Sequence, residues 1–327
     1  MSSQILVTGA GGFIGSHVVD LLLSQGVQVT ALCKYSSNGS YGWLDSDHYD
    51  RVPNLERVLG DVTDTEFVRK IALNKDVVIN LAALIGIPYS YIASRSYVNV
   101  NLGGTLNILE ALKGSSSRLV QISTSEVYGT PNSVPIKLSH PINPQSPYAA
   151  SKSAADQLCS SYAKSFESQV LIVRPFNTFG PRQSRRAVIP TILSQIALQT
   201  TQIRLGSITP KRDFTFVEDT ASAIVAACTK GVSDGRVIQL GTGRSISIAE
   251  LLEISKALFN FEFDVSSQEN RIRPKQSEVE ILESDPSSAL EDLGWQPKVS
   301  LEDGLLRTFD WLQGQKVSLD RSQTYVV

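Results

Sequence analysis

The chain has 327 residues, of which 42% are hydrophobic and 19% are charged. That length has room for about two domains, and the composition excludes a long disordered chain, a collagen-like repeat and a disulfide-rich miniprotein. The 30 basic and 32 acidic residues give a net charge of only −2, so nucleic acid is not an expected partner. No run of residues is apolar for long enough to span a membrane or to form a signal peptide, so we expect a cytoplasmic protein.

The chain contains three cysteines and three histidines. Because no two of them stand at the spacing of metal ligands, we predict no metal site and expect the cysteines to be buried free thiols. The residues are Cys33, Cys159, Cys228, His17, His48 and His140.

Strands and helices alternate along the first half of the chain. Short β-branched runs predict strands, and apolar residues at helical spacing predict helices. We predict strands at residues 5–7, 27–33, 76–83, 118–123 and 170–174, and helices at 17–24, 65–72, 96–113 and 148–166. This alternation implies right-handed βαβ units, so the predicted fold class is α/β, a Rossmann-type doubly wound parallel sheet.

The alternation breaks after Pro175, where a segment rich in glycine, proline and arginine begins. Beyond it we predict a helix at 187–198, a strand at 214–217 that returns to the main sheet, a helix at 219–230, a strand at 237–240, a helix at 248–258 and a strand at 261–265. The prediction is therefore two lobes. A Rossmann domain takes residues 1–175 and 213–243, and a smaller α/β lobe takes residues 176–212 and 244–327.

Three glycines mark the turn between the first strand and the first helix. The segment TGAGGFIG places Gly9, Gly12 and Gly15 around Phe13 and Ile14. Glycines at such a turn let the backbone approach a pyrophosphate at a helix N-terminus. A tight turn without a ligand is the alternative, but the strand, the helix and the next strand fall at the offsets that favour a bound dinucleotide.

Residues after the next strands complete the predicted dinucleotide site. The second strand ends without the acid that usually binds the ribose hydroxyl, and Lys34 and Ser36 suit a 2′-phosphate instead. The cofactor is therefore NADP or NAD, with NADP favoured, unless Lys34 is simply a solvated surface charge. Asp61 suits the adenine amino group, with a loop cap as the alternative. The remaining predicted contacts are Val62, Leu81, Ala82 and Ala83.

Tyr148 and Lys152 are four residues apart on one predicted helix, so their side chains share a face. An ammonium lowers the pKa of a nearby phenol because it favours the phenolate, which makes the tyrosine a usable base near neutral pH. Thr124 follows the preceding strand, where side chains face the crevice at the carboxyl edge of the sheet. Its hydroxyl is placed to bind the substrate oxygen that Tyr148 deprotonates.

Six motifs, spread in order over nearly the whole chain, resemble the extended short-chain dehydrogenase/reductase superfamily in its branch of nucleotide-sugar epimerases and dehydratases. They are TGAGGFIG, STSEVYG, SPYAASK, RPFNTFGPRQ, RDFTFVEDTA and LGW. The resemblance implies that Thr124, Tyr148 and Lys152 form an oxidation triad and that the smaller lobe holds a nucleotide-diphosphate sugar. Related proteins pair the helices that correspond to 96–113 and 148–166 across a subunit interface, so a homodimer is expected.

Glu126, in STSEVYG, indicates the reaction. Similar 4-epimerases generally lack an acid at this position, whereas a carboxylate there is able to remove the C5 proton once C4 is a ketone, so that the C6 hydroxyl leaves. We therefore predict a 4,6-dehydratase, which is a lyase. Where dTDP-glucose-type dehydratases have an aspartate, this chain has Ser125, as in GDP-mannose 4,6-dehydratases. This departure leaves Glu126 or a water as the proton donor to the C6 oxygen.

Other functions compete with this one. UDP-glucuronate decarboxylases have a similar TSEVYG segment and, with nucleotide-sugar epimerases, are rivals within the family. A non-catalytic NAD(P)-binding protein is a rival of another class, and the intact set of Thr124, Tyr148 and Lys152 argues against it.

Further segments resemble a narrower group, the 4,6-dehydratases of legionaminic-acid and related amino-sugar pathways. They are KYSSN at 34–38 with GWL at 42–44, IPYSY at 87–91, RQS at 182–184 with AVIP at 187–190, and RIRP at 271–274 with SEVE at 277–280. This similarity implies N-acetylglucosamine on UDP or GDP as the substrate.

The resemblance also implies substrate-binding residues. Arg212 and Arg273 suit the diphosphate because a guanidinium is permanently charged and binds two oxygens at once, with surface salt bridges as the alternative. Asn177 is a hydrogen-bond donor nearby. Tyr89, Ser90 and Tyr91 follow the strand predicted at 76–83 and face the hexose or, alternatively, only pack in their loop. The predicted set is Tyr89, Ser90, Asn177, Val188, Arg212 and Arg273.

Overall fold

The computed structural model of the chain describes residues 3–268, 271 and 274–315. Within those ranges no helix is both long and apolar enough to cross a membrane. In the same part of the chain, no cluster of three or more His, Cys, Asp or Glu side chains is placed to hold a metal ion. The three cysteines are buried and unpaired, as predicted.

The strands and helices are numbered in chain order. The strands are β1 (Gln4–Thr8), β2 (Gln28–Lys34), β3 (Leu55–Gly60), β4 (Val77–Asn80), β5 (Arg118–Ile122), β6 (Val170–Pro175), β7 (Asn177–Phe179), β8 (Gln202–Leu205), β9 (Lys211–Phe216), β10 (Asp234–Leu240), β11 (Ser245–Ser247), β12 (Asp264–Ser267) and β13 (Ile281–Leu282). The helices are α1 (Phe13–Ser24), α2 (Asp47–Asp50), α3 (Thr65–Ala72), α4 (Ile87–Ile92), α5 (Ser94–Tyr97), α6 (Gly104–Leu112), α7 (Pro147–Phe166), α8 (Val188–Ala197), α9 (Val217–Ala226), α10 (Ile248–Phe259), α11 (Ser287–Leu293) and α12 (Leu301–Gly314).

Seven parallel strands form the main sheet in the order β10-β6-β5-β4-β1-β2-β3, which confirms the predicted Rossmann-type fold. One face packs against α1, α9 and α11, and the other against α3, α6 and α7. From β1 the chain moves first toward β3 and then, from β4, toward β10. A doubly wound sheet binds its ligand in the crevice at such a reversal.

The helix predicted at 96–113 is interrupted. A π-helical segment, Val98–Gly103, joins α5 to α6. The side chain of Asn101 in this segment is buried. It accepts from the N–H of Leu84 at 2.9 Å and donates to the hydroxyl of Ser151 on α7 at 2.9 Å. The interruption therefore ties the loop after β4 to α7, the helix that carries Tyr148.

The second lobe contains two small sheets. β9 pairs with β7 and β13 in parallel and with β11 antiparallel, and β8 pairs with β12. Helices α8, α10 and α12 cover a separate apolar core that includes Phe179, Phe214 and Phe216. The division of the whole chain into lobes at 175, 212 and 243 stays a prediction.

Three predicted elements differ from the structure. The prediction that residues 214–217 return to the main sheet is wrong, because they lie in or directly after β9, whose aromatic side chains pack in the second lobe. The strand predicted at 261–265 is β12, three residues later at its start. The strand predicted at 76–83 ends at Asn80, so Leu81 to Ala83 form a loop at the edge of the sheet.

A buried carboxylate fixes the small sheet of the second lobe. Asp213, on β9, is fully buried and accepts five hydrogen bonds. The donors are the backbone N–H groups of Thr242, Gly243 and Ser284 and the hydroxyls of Thr242 and Ser284, at 2.6 to 3.1 Å. One side chain thus joins three segments that are distant in sequence.

We expect Asp213→Asn to lower the free energy of unfolding by about 3 kcal/mol, because the amide presents an N–H₂ group to donors that now lose their acceptor. Denaturant titration measures this change. The matched control is Asp264→Asn, at an exposed position on β12, which is expected to change stability by less than about 0.5 kcal/mol. Equal effects of the two substitutions would contradict the assigned role.

Candidate active site

The turn between β1 and α1 is built so that its glycines cannot be replaced without moving the backbone. Gly9 has φ +67°, and a Cβ added to it would lie 2.8 Å from the carbonyl carbon of Leu81. A Cβ on Gly15 would lie 2.3 Å from the carbonyl oxygen of Gly9. This packing brings the turn and the N-terminus of α1 together at the carboxyl edge of the sheet. The turn therefore fits the pyrophosphate of a dinucleotide.

The loop after β4 lies against the glycine turn. Thr8 accepts through its hydroxyl oxygen from the N–H of Ala82 at 3.2 Å and donates to Asn80 at 2.7 Å. Leu81 and Ala83 flank this contact and are half-buried. The structure thus brings together the glycine turn and the predicted cofactor residues of this loop.

The predicted adenosine contacts lie at the ends of β2 and β3. Lys34 is exposed, and the hydroxyl of Ser36 donates to Asn38 at 2.7 Å within its own loop. Asp61 is exposed and accepts from the N–H and the hydroxyl of Thr63 at 2.9 and 2.8 Å, which is the loop cap weighed as its alternative role. Val62 is buried.

The segment that contains the GWL motif, for which the sequence predicted no position in the fold, packs against the glycine turn. The N–H of Trp43 donates to the carbonyl of Gly11 at 3.0 Å, and a Cβ on Gly11 would lie 2.1 Å from the carbonyl oxygen of Tyr41. The Trp43 ring meets that of Trp311 on α12 edge-on, with centroids 5.4 Å apart. The GWL motif therefore links the cofactor turn to the second lobe.

Helix α7 carries Tyr148 and Lys152, the predicted catalytic pair. It begins after Ser146, whose hydroxyl oxygen accepts from the N–H of Ala149 at 3.1 Å, and this cap fixes the first turn that carries Tyr148. Tyr148 is buried, and its ring meets that of Tyr97 edge-on with centroids 6.3 Å apart. The phenol therefore sits in a tightly packed wall of the site.

Burial dominates the chemistry of the phenol. It raises the pKa of Tyr148, and a hydrogen bond with the Thr124 hydroxyl opposes that rise, while the charge of Glu126 adds to it. The sequence-based expectation of a lowered pKa is therefore not met in this structure, because desolvation outweighs the favourable contacts.

Lys152 is buried one helical turn after Tyr148. Its ammonium donates to the carbonyl of Ile122, the last residue of β5. Burial lowers the pKa of Lys152, and the charge of Asp156 opposes that shift. The lysine is thus held at the end of β5, on the same helix face as Tyr148.

The segment after β5 carries the remaining predicted catalytic residues. Thr124 accepts from the N–H of Glu126 at 3.2 Å and so starts a short 3₁₀ turn, Ser125–Tyr128. Ser125 is buried, and Glu126 is half-buried. The turn places Glu126 two residues after Thr124, a member of the predicted oxidation triad.

On the side of the second lobe the predicted residues are more dispersed. Asn177, at the start of β7, has a buried side-chain oxygen with no hydrogen-bond partner among the described residues. Arg212 is buried, and its Nη2 lies 3.1 Å from Oε1 of Glu278. The predicted contact Arg273 lies outside the described residues.

Three further predicted substrate contacts lie on α4, which follows the loop after β4, and at the start of α8. Tyr89, on α4, is 41% exposed and so remains accessible. Ser90 is fully buried, and its hydroxyl donates to the carbonyl of Ile87 at 2.6 Å. Val188 is the first residue of α8 and is half-buried. These assignments stay predictions.

The fold and this arrangement define a dinucleotide-dependent enzyme with a Tyr-Lys pair. A family model described as GDP-mannose 4,6 dehydratase matches residues 6–308. Among known proteins, the low-salt glycan biosynthesis protein Agl12 of Haloferax volcanii is 33% identical over 318 residues, which cover 95% of this chain and 99% of that protein.

Two solved structures extend the similarity. The UDP-N-acetylglucosamine 4-epimerase of Methanobrevibacter ruminantium M1, in complex with UDP-N-acetylmuramic acid, has 30% identity and a TM-score of 0.86, covering 96% of this chain and 100% of that chain. DesIV, a dTDP-glucose 4,6-dehydratase of Streptomyces venezuelae with NAD and TYD bound, has 28% identity and a TM-score of 0.86, covering 95% and 97%.

The chain belongs to the extended short-chain dehydrogenase/reductase family of NAD-dependent nucleotide-sugar epimerases and dehydratases, which confirms the resemblance found in its motifs. It is an enzyme of that family. Relatives named as dehydratases, epimerases and a decarboxylase all match it. Similarity alone therefore gives the family and leaves the reaction to be argued from the site.

We expect Gly15→Ala to weaken dinucleotide binding by about tenfold to a hundredfold, because the clash with Gly9 costs about 1–3 kcal/mol of turn geometry. Titration of the purified variant with NAD, followed by protein fluorescence, measures this loss. Gly314→Ala is the control, since a Cβ there meets nothing within 4 Å. Unchanged affinity in Gly15→Ala would contradict the assigned turn.

Proposed function

We propose that this enzyme is a nucleotide-sugar 4,6-dehydratase. The observation that carries the proposal is the position of Glu126, which lies in one short turn directly after Thr124, the residue whose hydroxyl is hydrogen-bonded to Tyr148. Oxidation of C4 and removal of the C5 proton need a phenolate and a carboxylate beside adjacent carbons of one ring. A carboxylate at this place supports elimination rather than simple epimerisation.

The proposed reaction begins when Tyr148 takes the proton of the C4 hydroxyl, with Thr124 bound to the same oxygen and Lys152 favouring the phenolate. An oxidised nicotinamide, when bound, would supply the hydride acceptor for C4 and the hydride donor for C6, and its positive charge would favour the phenolate. The C4 ketone acidifies the C5 proton. Glu126 then removes that proton, a C5–C6 double bond forms and the C6 hydroxyl departs as water. Hydride return at C6 leaves an enolate that takes up one proton at C5, equivalent to the proton that Tyr148 removed from the C4 hydroxyl, and the 4-keto-6-deoxy sugar results.

The proton for the departing C6 oxygen comes, in this proposal, from Glu126 itself or from a water that it binds. Ser125 is buried and has no acidic group, so it is assigned a place next to the base rather than the role of an acid. One carboxylate thus serves both halves of the elimination, because the proton that it takes from C5 is the proton that it is able to deliver.

The proposed substrate is UDP- or GDP-N-acetylglucosamine, and the product is its 4-keto-6-deoxy sugar, an intermediate suited to amino-sugar biosynthesis. The solved 4-epimerase that binds a UDP-N-acetyl sugar supports this class of ligand. In the proposal, Arg212 and Arg273 bind the diphosphate, and the unpartnered oxygen of Asn177 accepts a hydrogen bond from the substrate. A homodimer through α6 and α7 is also proposed.

Incubation with UDP-, GDP-, dTDP- and CDP-sugars followed by mass spectrometry tests the function directly. Loss of one water from an N-acetylhexosamine nucleotide supports dehydration. Loss of carbon dioxide from a nucleotide-uronic acid would assign the decarboxylase instead, and an unchanged mass with an inverted C4 would assign the epimerase. No turnover of any of them would favour a non-catalytic dinucleotide-binding protein.

We expect Glu126→Gln to lower product formation by at least about a hundredfold, because the base for C5 is lost. The variant still oxidises C4, so the absorbance of reduced nicotinamide accumulates after substrate is added. Glu66→Gln, at an exposed position on α3, is the control and keeps normal turnover. Normal turnover by Glu126→Gln would remove Glu126 from the mechanism.

The cofactor is proposed to be NADP or NAD, with NADP favoured by Lys34, although DesIV contains NAD. We expect Lys34→Ala to weaken NADP binding by about tenfold and NAD binding little, because a charge-assisted hydrogen bond to the 2′-phosphate is lost. Titrations with both dinucleotides measure the ratio, with the exposed Lys70→Ala as control. An equal change for both cofactors would contradict a contact between Lys34 and the 2′-phosphate.

A further inference from the structure

A buried ionic network lies next to the catalytic pair and is not used by the proposed reaction. It consists of Ser123, Asp156 on α7 and Arg174 on β6, and none of the three is more than 5% exposed. Oδ2 of Asp156 accepts from the hydroxyl of Ser123 at 2.7 Å and from Nε of Arg174 at 3.0 Å, and Nη2 of Arg174 forms an ion pair with the same oxygen at 2.9 Å. Removing two charges from water costs free energy of desolvation, so a buried ion pair of this kind needs a physical explanation.

The network holds the backbone that contacts the catalytic pair. Ser123 stands between Ile122, whose carbonyl accepts from Lys152, and Thr124, whose hydroxyl bonds to Tyr148. The bond from Ser123 to Asp156 therefore anchors the segment that presents both contacts. Asp156 itself follows Lys152 by one turn of α7, so lysine, carboxylate and strand end form one closed unit.

The network also places a negative counter-charge, that of Asp156, near the buried ammonium of Lys152. Burial lowers the pKa of Lys152, and the carboxylate of Asp156 is the largest influence in the opposite direction. Oδ1 of Asp156 is buried and has no hydrogen-bond partner among the described residues, because every bond that the carboxylate accepts there goes to Oδ2. Burial raises the pKa of Asp156, and the charge of Arg174, the hydrogen bond from Ser123 and the charge of Lys152 oppose that rise and so favour the ionised carboxylate.

We infer that Asp156 is a positioning residue for the oxidation of C4, whose carboxylate keeps the ammonium of Lys152 charged and fixes the end of β5 against the catalytic pair. Arg174 and Ser123 hold that carboxylate in place. The inference rests on the proposed roles of Tyr148 and Lys152, but not on dehydration. Epimerisation at C4 and decarboxylation of a uronic acid by this family's chemistry would begin with the same oxidation.

Several charged and titratable groups surround Lys152 and Asp156. Arg174 does not titrate in the accessible range. Burial raises the pKa values of Tyr148, Tyr97 and Cys159, so these groups lose their protons later than their free counterparts. The groups that face the unit are Arg174 from β6, Glu126 and Tyr128 from the turn after β5, Tyr97 from α5, and Tyr148 and Cys159 from α7.

The first test needs no cofactor or substrate. Asp156→Asn keeps the size of the side chain and removes its charge. We expect the stability difference between wild type and variant to narrow as pH rises from about 7 to about 10, because the wild type loses its Lys152–Asp156 attraction when the lysine deprotonates. The ratio of the unfolding equilibrium constants of variant and wild type is expected to fall by about tenfold between these two pH values.

A structural role alone predicts a different result. If Asp156 only neutralises Arg174 and anchors Ser123, the stability difference stays constant over this range, because neither partner titrates. A constant difference would overturn the inference. Asp156→Glu, which keeps the charge, is the conservative control and should restore the pH dependence of the wild type.

The second test monitors the oxidation itself in the holoenzyme. Rapid mixing with UDP-N-acetylglucosamine and detection of reduced nicotinamide should show the alkaline limb of the oxidation rate shifted to lower pH by about one unit in Asp156→Asn. The shift has this sign because the ammonium is lost earlier when its counter-charge is absent. A rate lowered equally at every pH would contradict the role.

A third variant covers the case in which Asp156→Asn does not fold because Arg174 is left unpaired. Ser123→Ala removes one hydroxyl and keeps both charges. We expect about tenfold slower oxidation with unchanged NAD affinity, whereas an unchanged oxidation rate would refute the anchoring of β5. If the chosen sugar is not a substrate, the proposed function fails while the stability test still decides the role of Asp156.

Discussion

The site depends on burying a phenol and an ammonium where β5 ends. Desolvation alone drives both groups toward their neutral forms, since it raises the pKa of Tyr148 and lowers that of Lys152. The chemistry needs the opposite, a phenolate beside an ammonium. Each contact around the pair, from the Thr124 hydroxyl, the Ile122 carbonyl and the Asp156 carboxylate, offsets part of that cost. The surrounding structure is best understood as the support for those contacts.

That support reaches across the sheet. Thr8 at the end of β1 donates to Asn80 at the end of β4 at 2.7 Å, and Asn80 donates to Gln121 on β5 at 2.8 Å. All three side chains are buried. This row of polar contacts keeps the glycine turn, the loop after β4 and the catalytic end of β5 at fixed separations. The proposed cofactor site at the end of β1 and the proposed base next to β5 are thereby linked along one edge of the sheet.

The parts of this site that depend on local spacing were predictable from the sequence. The turn at Gly9 and Gly15 and the pair on α7 follow from short patterns whose geometry any helix or tight turn reproduces. The network at Asp156 was missed, because its partners lie on β6 and just after β5, although its place one turn after Lys152 was a visible signal. β9 was assigned to the wrong sheet for the same reason, since a strand's own residues do not state which neighbours it pairs with.

The residues proposed to oxidise C4 are more deeply buried than Glu126, the residue proposed to select the reaction. Tyr148, Lys152 and Thr124 are almost completely buried and bonded to the sheet edge, so a change in any of them disturbs its neighbours. Glu126 is half-buried and lies on a four-residue turn after the strand rather than on the strand itself. A fold organised in this way is able to keep one oxidation step and vary the later steps of the reaction. The match of this chain to relatives named as dehydratases, epimerases and a decarboxylase agrees with one shared oxidation step followed by different later steps.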